Sequence, residues 1–174
     1  MIMRIPIALA LFIGLFSCAA QEPNGLMVQA RVSRSIGDLS NVTSGNKLLP
    51  GLGLSIMAEF VLEYGWKLRP GIGMDAIKTG ASVTHISTEI VKMLNLDQDP
   101  PLLGPYLVGG LYLLNWAVKP QNVEGTRRIL HLGGSAGFGF RFSRKLDLEI
   151  KAMDGQIDPN LLGTVFLACA NFRL

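Results

Sequence analysis

The tripeptide His85-Ile86-Ser87 sets a base and a hydroxyl two residues apart, and Glu89 follows at the same interval. On a β-strand that spacing puts all three side chains on one face. A base, a hydroxyl and an acid within reach of one another are the equipment of a serine hydrolase. The second histidine, His131, is remote in sequence. Metal centres draw three or four ligands from suitably spaced residues. The two histidines and two cysteines are scattered, so no metal and no cofactor are expected. The glycine pairs 51/53, 71/73 and 137/139 lie inside alternating segments with no helix start behind them, so they are not phosphate loops. Asn41-Val42-Thr43 is a glycosylation sequon only on a eukaryotic secretory route. A formal charge of +3 is mild and argues against nucleic-acid binding.

The elements that must position these residues read as strands. Leu26 to Ser35 alternates, with Leu26, Val28, Ala30 and Val32 on one face. A polar loop from Ile36 to Pro50 follows. Gly51 to Tyr64 sets Leu52, Leu54, Ile56, Ala58, Phe60, Leu62 and Tyr64 against a polar face. A tight turn at Gly65 leads into Trp66 to Thr79, in which Pro70 predicts an irregular ladder. Ser82 to Leu94 reads as a strand, with a short helix over Thr88 to Asn95 as the alternative. Asn95 to Pro101 is a turn. Leu102 to Trp116 is apolar on both faces, and Ala117 to Arg127 is a loop. Arg128 to Phe142 and Lys145 to Met153 alternate around a tight turn at Ser143-Arg144. After a loop over 154–159, Asn160 to Leu174 places Phe166, Ala168, Ala170, Phe172 and Leu174 on one face. The count is eight strands in a 174-residue chain, which suits one domain.

Met1 to Arg4 carries a positive charge, and Ile5 to Phe16 is apolar over the length of a signal h-region. Small residues then run to Ala20. The expected organisation is a signal peptide over 1–20 and a barrel domain over 21–174. Leu15-Phe16-Ser17-Cys18 also resembles a lipobox, although Phe16 is bulky for one. Whether Cys18 leaves with the signal or is lipidated, Cys169 stands alone and no disulfide is expected.

Alternation alone fits a soluble sandwich as well as a membrane barrel. The polar faces decide between them. They carry Arg31, Glu59, Glu63, Lys67, Arg69, Asp75, Arg141, Asp147, Glu149, Lys151 and Arg173, nearly balanced in sign. They also carry Gly51, Gly53, Gly71, Gly73, Gly109, Gly133, Gly137 and Gly139. A water-facing strand gains nothing from glycine, whereas the crowded lumen of a narrow barrel requires it. Paired charges suit a closed lumen, because an unpaired buried charge is costly. The opposite faces are aliphatic and aromatic, and strands of this length cross a bilayer. Tyr64, Trp66, Trp116 and Phe142 are expected in the interfacial aromatic girdles. A helical span over Leu102 to Val118 is disfavoured by Gly104, Pro105, Gly109 and Gly110. The expectation is therefore an all-β, eight-stranded antiparallel transmembrane up-and-down β-barrel. Short turns at Gly65 and Ser143 would face the periplasm, and the loops at 36–50, 117–127 and 154–160 the exterior. The connections near Gly80 and at Asn95 to Pro101 break that length rule.

The stretches Gly104-Pro105-Tyr106-Leu107-Val108-Gly109-Gly110 and Gly133-Gly134-Ser135-Ala136-Gly137-Phe138-Gly139-Phe140, with the terminal strand, resemble small eight-stranded outer-membrane barrels of the OmpA transmembrane-domain and OmpX type. The resemblance implies a bacterial outer-membrane protein with a structural or interaction role. Its partners would be outer-membrane lipid and lipopolysaccharide, the barrel-assembly machinery during insertion, and a ligand at the extracellular loops. Such proteins commonly end on an aromatic residue, where this chain has Phe172-Arg173-Leu174. A narrow small-solute channel gated by the lumen charges is the alternative. His85-Ile86-Ser87 also resembles the His-x-Ser pair of outer-membrane lipid A deacylases, but Thr88 replaces the Asn that follows it there. The expectation is accordingly a protein that is not an enzyme.

Overall fold

A computed structural model describes residues 25–37, 51–78, 81–95, 103–118, 125–154 and 163–174. The N-terminal segment expected to be a signal peptide, and Cys18 within it, lie outside these residues, as do most of the loops. Eight strands run in chain order: β1 Gly25–Gly37, β2 Gly51–Val61, β3 Trp66–Lys78, β4 Ala81–Met93, β5 Gly104–Val118, β6 Arg127–Arg141, β7 Leu146–Asp154 and β8 Gly163–Arg173. Each pairs antiparallel with the next, and β8 returns to β1 to close the barrel. The closing seam is continuous from Met27 opposite Arg173 to Gly37 opposite Gly163. Each strand therefore has a hydrogen-bonded neighbour on both sides, although the β6–β7 ladder covers only Ser135 to Arg141 of β6. Residues 82–93 belong to strand β4, and the helical alternative is not realised.

One end of the barrel holds the start of β1, the end of β8 and the reversals at 62–65 and 142–145. This is the terminus end. In the first reversal Tyr64 (φ 56) and Gly65 (φ 74) turn the chain. The opposite, loop end holds the connections after β1, β3, β5 and β7. Pro70 has the expected local effect: the β2–β3 ladder skips from Met57 opposite Gly71 to Phe60 opposite Leu68. Proline has no N–H to donate at that point.

Alternation separates an outer wall from a lumen. Leu52 (65% exposed), Ile72 (61%) and Phe138 (60%) typify an apolar outer wall. On β1 to β4 and β6 to β8 the even-numbered residues face outward, with the terminal strand following the same rule. On β5 the parity reverses. Leu107 and Leu111 are exposed there, while Tyr106, Val108, Tyr112, Leu114 and Trp116 are buried in the lumen. Two expectations are corrected by this reversal. Trp116 does not belong to an interfacial girdle, since it is wholly buried. Gly109 does not belong to the crowded lumen face: a Cβ there would meet only the Ser135 carbonyl, at 3.7 Å. Its neighbour Gly110 takes that place: a Cβ there would lie 3.0 Å from Glu89 Cγ and from the Tyr112 ring. Tyr64, Trp66 and Phe142 are exposed around the terminus end, and the Phe140 and Phe142 rings lie 4.8 Å apart. Lys92 Nζ sits 4.9 Å over the Trp66 ring and donates to the Tyr64 carbonyl at 2.5 Å.

Candidate functional site

The lumen is stacked in layers. Its charges enter on inward positions of six strands: Arg31 on β1, Glu59 on β2, Lys67, Arg69 and Asp75 on β3, Glu89 on β4, Arg141 on β6, and Asp147, Glu149 and Lys151 on β7. Arg173 joins them from β8.

Near the terminus end the charges form one network around Arg69, whose side chain is fully buried. Its Nε donates to Glu59 Oε2 at 2.9 Å, its Nη1 to Glu149 Oε1 at 2.6 Å and its Nη2 to Asp147 Oδ2 at 3.2 Å. One guanidinium thus serves three carboxylates from two strands. The rigid fork of arginine suits this role better than the point charge of lysine. Arg141 bridges Asp147 and Glu59 at 3.0 Å each, and Arg173 reaches Asp147 at 2.5 Å and Glu59 at 3.0 Å. Lys67 approaches Glu59 at 3.6 Å. The Arg69 guanidinium also lies 5.3 Å over the Tyr106 ring, whose hydroxyl donates to Glu149 at 2.8 Å.

The middle layer is built on Lys151. Its ammonium contacts Glu89 at 2.6 Å and Glu149 at 3.1 Å, with no solvent exposure on any of the three side chains beyond 1%. The Tyr112 hydroxyl donates to Glu89 in a short hydrogen bond. Gln29 and Asn171 complete the layer: Gln29 donates to Asn171 at 2.7 Å, and Asn171 donates to Glu149 at 2.7 Å. Above it, Arg31 pairs with Asp75 at 3.0 Å and donates to His85 Nε2 at 2.7 Å. Arginine has no acceptor, so His85 Nε2 must accept, which makes the ring neutral with its proton on Nδ1.

Apolar residues close the loop end. Ile77, Val83, Leu114, Trp116, Val118, Met153, Val165 and Leu167 form one buried cluster across the lumen. A smaller cluster of Val91, Met93, Tyr106 and Val108 lines the β4–β5 side of the terminus end. The described lumen is thereby filled, by ion pairs at one end and by packed apolar side chains at the other.

Ten of the eleven residues that patterning assigned to the lumen charges lie in these layers. Glu63 is the correction: it sits in the exposed turn Glu63–Gly65, because β2 ends at Val61 and alternation ceases to assign faces beyond a strand end. Glu89 is a lumen charge that the patterning did not place in the network, although it shares a strand face with His85 and Ser87. Gln29, Tyr106, Tyr112 and Asn171 are further lumen partners carrying no charge to mark them.

The His85, Ser87 and Glu89 side chains do face the lumen together. Each is committed elsewhere. His85 Nε2 is held by Arg31, the Ser87 hydroxyl donates to the Gly71 carbonyl at 3.4 Å, and Glu89 takes Lys151 and Tyr112. General-base activation needs a hydrogen bond from hydroxyl to imidazole, and these partners replace it. Among the described residues, no group of three or more His, Cys, Asp or Glu side chains is placed to hold a metal ion. Cys169 is a buried free thiol on the lumen side of β8.

A closed antiparallel eight-strand barrel with an apolar outer wall and a filled lumen defines the class: a small transmembrane β-barrel. Its fold is shared with solved eight-stranded outer-membrane barrels. The chain is similar to the N-terminal β-barrel domain of Pseudomonas aeruginosa OprF, with a TM-score of 0.56 at 15% identity over 88% of this chain and all of that one. It is similar to Neisserial surface protein A, with a TM-score of 0.55 at 14% identity over 88% of this chain and all of that one. It also resembles Ail, the attachment invasion locus protein of Yersinia pestis, with a TM-score of 0.52 at 12% identity over 86% of this chain and 97% of that one. Identities this low establish a shared fold. No protein-family profile matches the chain, and no curated protein matches it by sequence.

Proposed function

We propose that the protein is a structural or interaction component of a bacterial outer membrane, a lipid-embedded scaffold that carries its longer connections on the outer surface and performs no catalysis. The observation that carries this reading is a lumen of ion pairs and apolar side chains inside a predominantly apolar wall. Such a barrel is built to be stable in lipid, with the inward charges of the described residues committed to one another. The fold neighbours support the location. Residues 1–20 are then an export signal that is removed, and the insertion machinery takes the mature chain through its closing strand. Loop lengths favour an outward-facing loop end, since outer-membrane barrels keep short turns on the periplasmic side.

Planar-bilayer recording tests the scaffold against the small-solute channel. The scaffold predicts no unitary current above background for the wild-type chain. Trp116→Ala, which removes the largest side chain of the apolar closure, is expected to introduce brief openings. Steady wild-type conductance, abolished by substituting Arg69 or Glu149, would favour the channel instead.

A further inference from the structure

At the terminus end of the lumen the cations outnumber the acceptors. Glu59 Oε1 accepts from Arg141 Nη2 and Arg173 Nε, both at 3.2 Å. Glu59 Oε2 accepts from Arg69 Nε at 2.9 Å and from Arg141 Nη2 and Arg173 Nη2 at 3.0 Å. Asp147 accepts from the same three guanidinium groups on both of its oxygens. A carboxylate offers about four lone-pair sites, so both are saturated. Lys67 is left over. Its Nζ stops 3.6 Å from Glu59 Oε1, beyond hydrogen-bond distance, and it donates to no other group among the described residues. Yet Lys67 is only 3% exposed. An ammonium carries three donors, and burying it without an acceptor is costly. Arg141 Nη1 is also unoccupied among the described residues, since that side chain bonds through Nε and Nη2. Lys67 Nζ and the Arg141 guanidinium both border Glu59 Oε1, so these idle donors face one space. The described lumen holds six cations against five carboxylates, with His85 neutral. The surplus cation therefore lies at the terminus end, where Arg173, with its side chain 13% exposed, is the most open member of the network.

We propose that this mouth of the lumen binds one small carboxylate anion, held between Lys67 Nζ and Arg141 Nη1. One oxygen accepts from the ammonium and the other from the guanidinium, which are charge-assisted contacts. The single negative charge of a carboxylate cancels the surplus of one cation. A halide offers one centre to two separate donors, and a dianionic phosphate would leave the lumen with an excess of negative charge. The binding site stands on the lumen geometry alone. Its opening to the periplasm rests on the orientation proposed above.

The folded chain in detergent micelles is titrated with carbon-13-labelled acetate at constant ionic strength, and bound acetate is read from its NMR line broadening. Saturable binding of one acetate per barrel is expected. Lys67→Met removes a charge-assisted contact and should weaken binding roughly tenfold. Lys145→Met, in the exposed turn at the same end, should leave it unchanged. Unfolding midpoints separate a binding site from a structural ion pair. Lys67 gives up no hydrogen bond, so without acetate Lys67→Met should unfold at the wild-type midpoint, whereas Arg69→Met should unfold well below it. Acetate should raise the wild-type midpoint and leave that of Lys67→Met unmoved. The absence of saturable binding, binding that survives Lys67→Met, a loss that Lys145→Met matches, displacement of acetate by an equal concentration of chloride or phosphate, or a midpoint that Lys67→Met lowers as far as Arg69→Met does would each overturn the proposal. Cell fractionation is the separate arm. A chain absent from the outer membrane defeats the periplasmic placement, while a chain inserted there that takes up no acetate in micelles defeats only the site.

Discussion

Replacing Lys151 with methionine keeps most of the side-chain volume and removes the only cation within salt-bridge reach of Glu89 among the described residues. The two carboxylates it serves then fare differently. Glu149 keeps Arg69 at 2.6 Å, the Tyr106 hydroxyl at 2.8 Å and Asn171 at 2.7 Å. Glu89 keeps only the hydroxyl of Tyr112, in a site with no solvent exposure. Removing one partner of a buried ion pair costs about 3–5 kcal/mol, because the other charge is left without compensation. Lys151→Met should therefore destabilise the barrel by about 3–5 kcal/mol, nearly all of it through Glu89. Adding Glu89→Gln removes the stranded charge and preserves an acceptor for Tyr112. The double variant should recover to within about 1 kcal/mol of wild type, which makes the coupling energy at least about 2 kcal/mol. The assay is reversible urea unfolding in lipid vesicles, followed by tryptophan fluorescence and scored as a double-mutant cycle. A single variant within about 1 kcal/mol of wild type, or a cycle with no coupling, would refute the layered-lumen reasoning.

Two further substitutions probe crowding in the lumen and the polarity of the wall. At Gly137 an added Cβ would lie 2.2 Å from the Ile150 carbonyl and 2.7 Å from Lys151 Cγ, whereas at Gly134 it meets nothing nearer than 3.7 Å. Gly137→Ala should lower stability by about 1–3 kcal/mol through overpacking, and Gly134→Ala should stay within about 0.5 kcal/mol, read from the same urea midpoints. Ile72 lies midway along β3 on the exposed wall, so Ile72→Arg should cost about 2–4 kcal/mol in vesicles, whereas Tyr64→Arg in the turn at the interface should cost about 1 kcal/mol or less.

Six strands could be oriented from sequence because a charge or a run of glycines marks one face of each, as Asp147, Glu149 and Lys151 mark β7. Strand β5 has no such mark. Tyr106, Val108, Tyr112, Leu114 and Trp116 on one face are as apolar as Leu107, Leu111 and Leu113 on the other. Which face turns inward depends on how the preceding connection enters the barrel, and local composition does not encode that. The same gap hid the apolar closure at the loop end, since inward hydrophobic residues look like wall residues when each strand is taken alone. Glu89 was legible as a residue with chemical potential but not as a lumen charge. Mixed faces on β4 (Thr84, Ile86 and Thr88 against His85, Ser87 and Val91) blurred the alternation that would have aligned it with Lys151. The terminal strand read clearly: its inward Asn171 and Arg173 meet Gln29, Glu149, Asp147 and Glu59, the last contributed from β2, on the far side of β1.

Cell fractionation combined with heat-modifiable gel migration tests the central claim most directly. The account predicts that the chain sediments with outer membranes and migrates faster unheated than boiled, as a closed barrel that resists detergent until it is heated. A chain recovered in the soluble periplasmic fraction, with the same mobility before and after boiling, would contradict it.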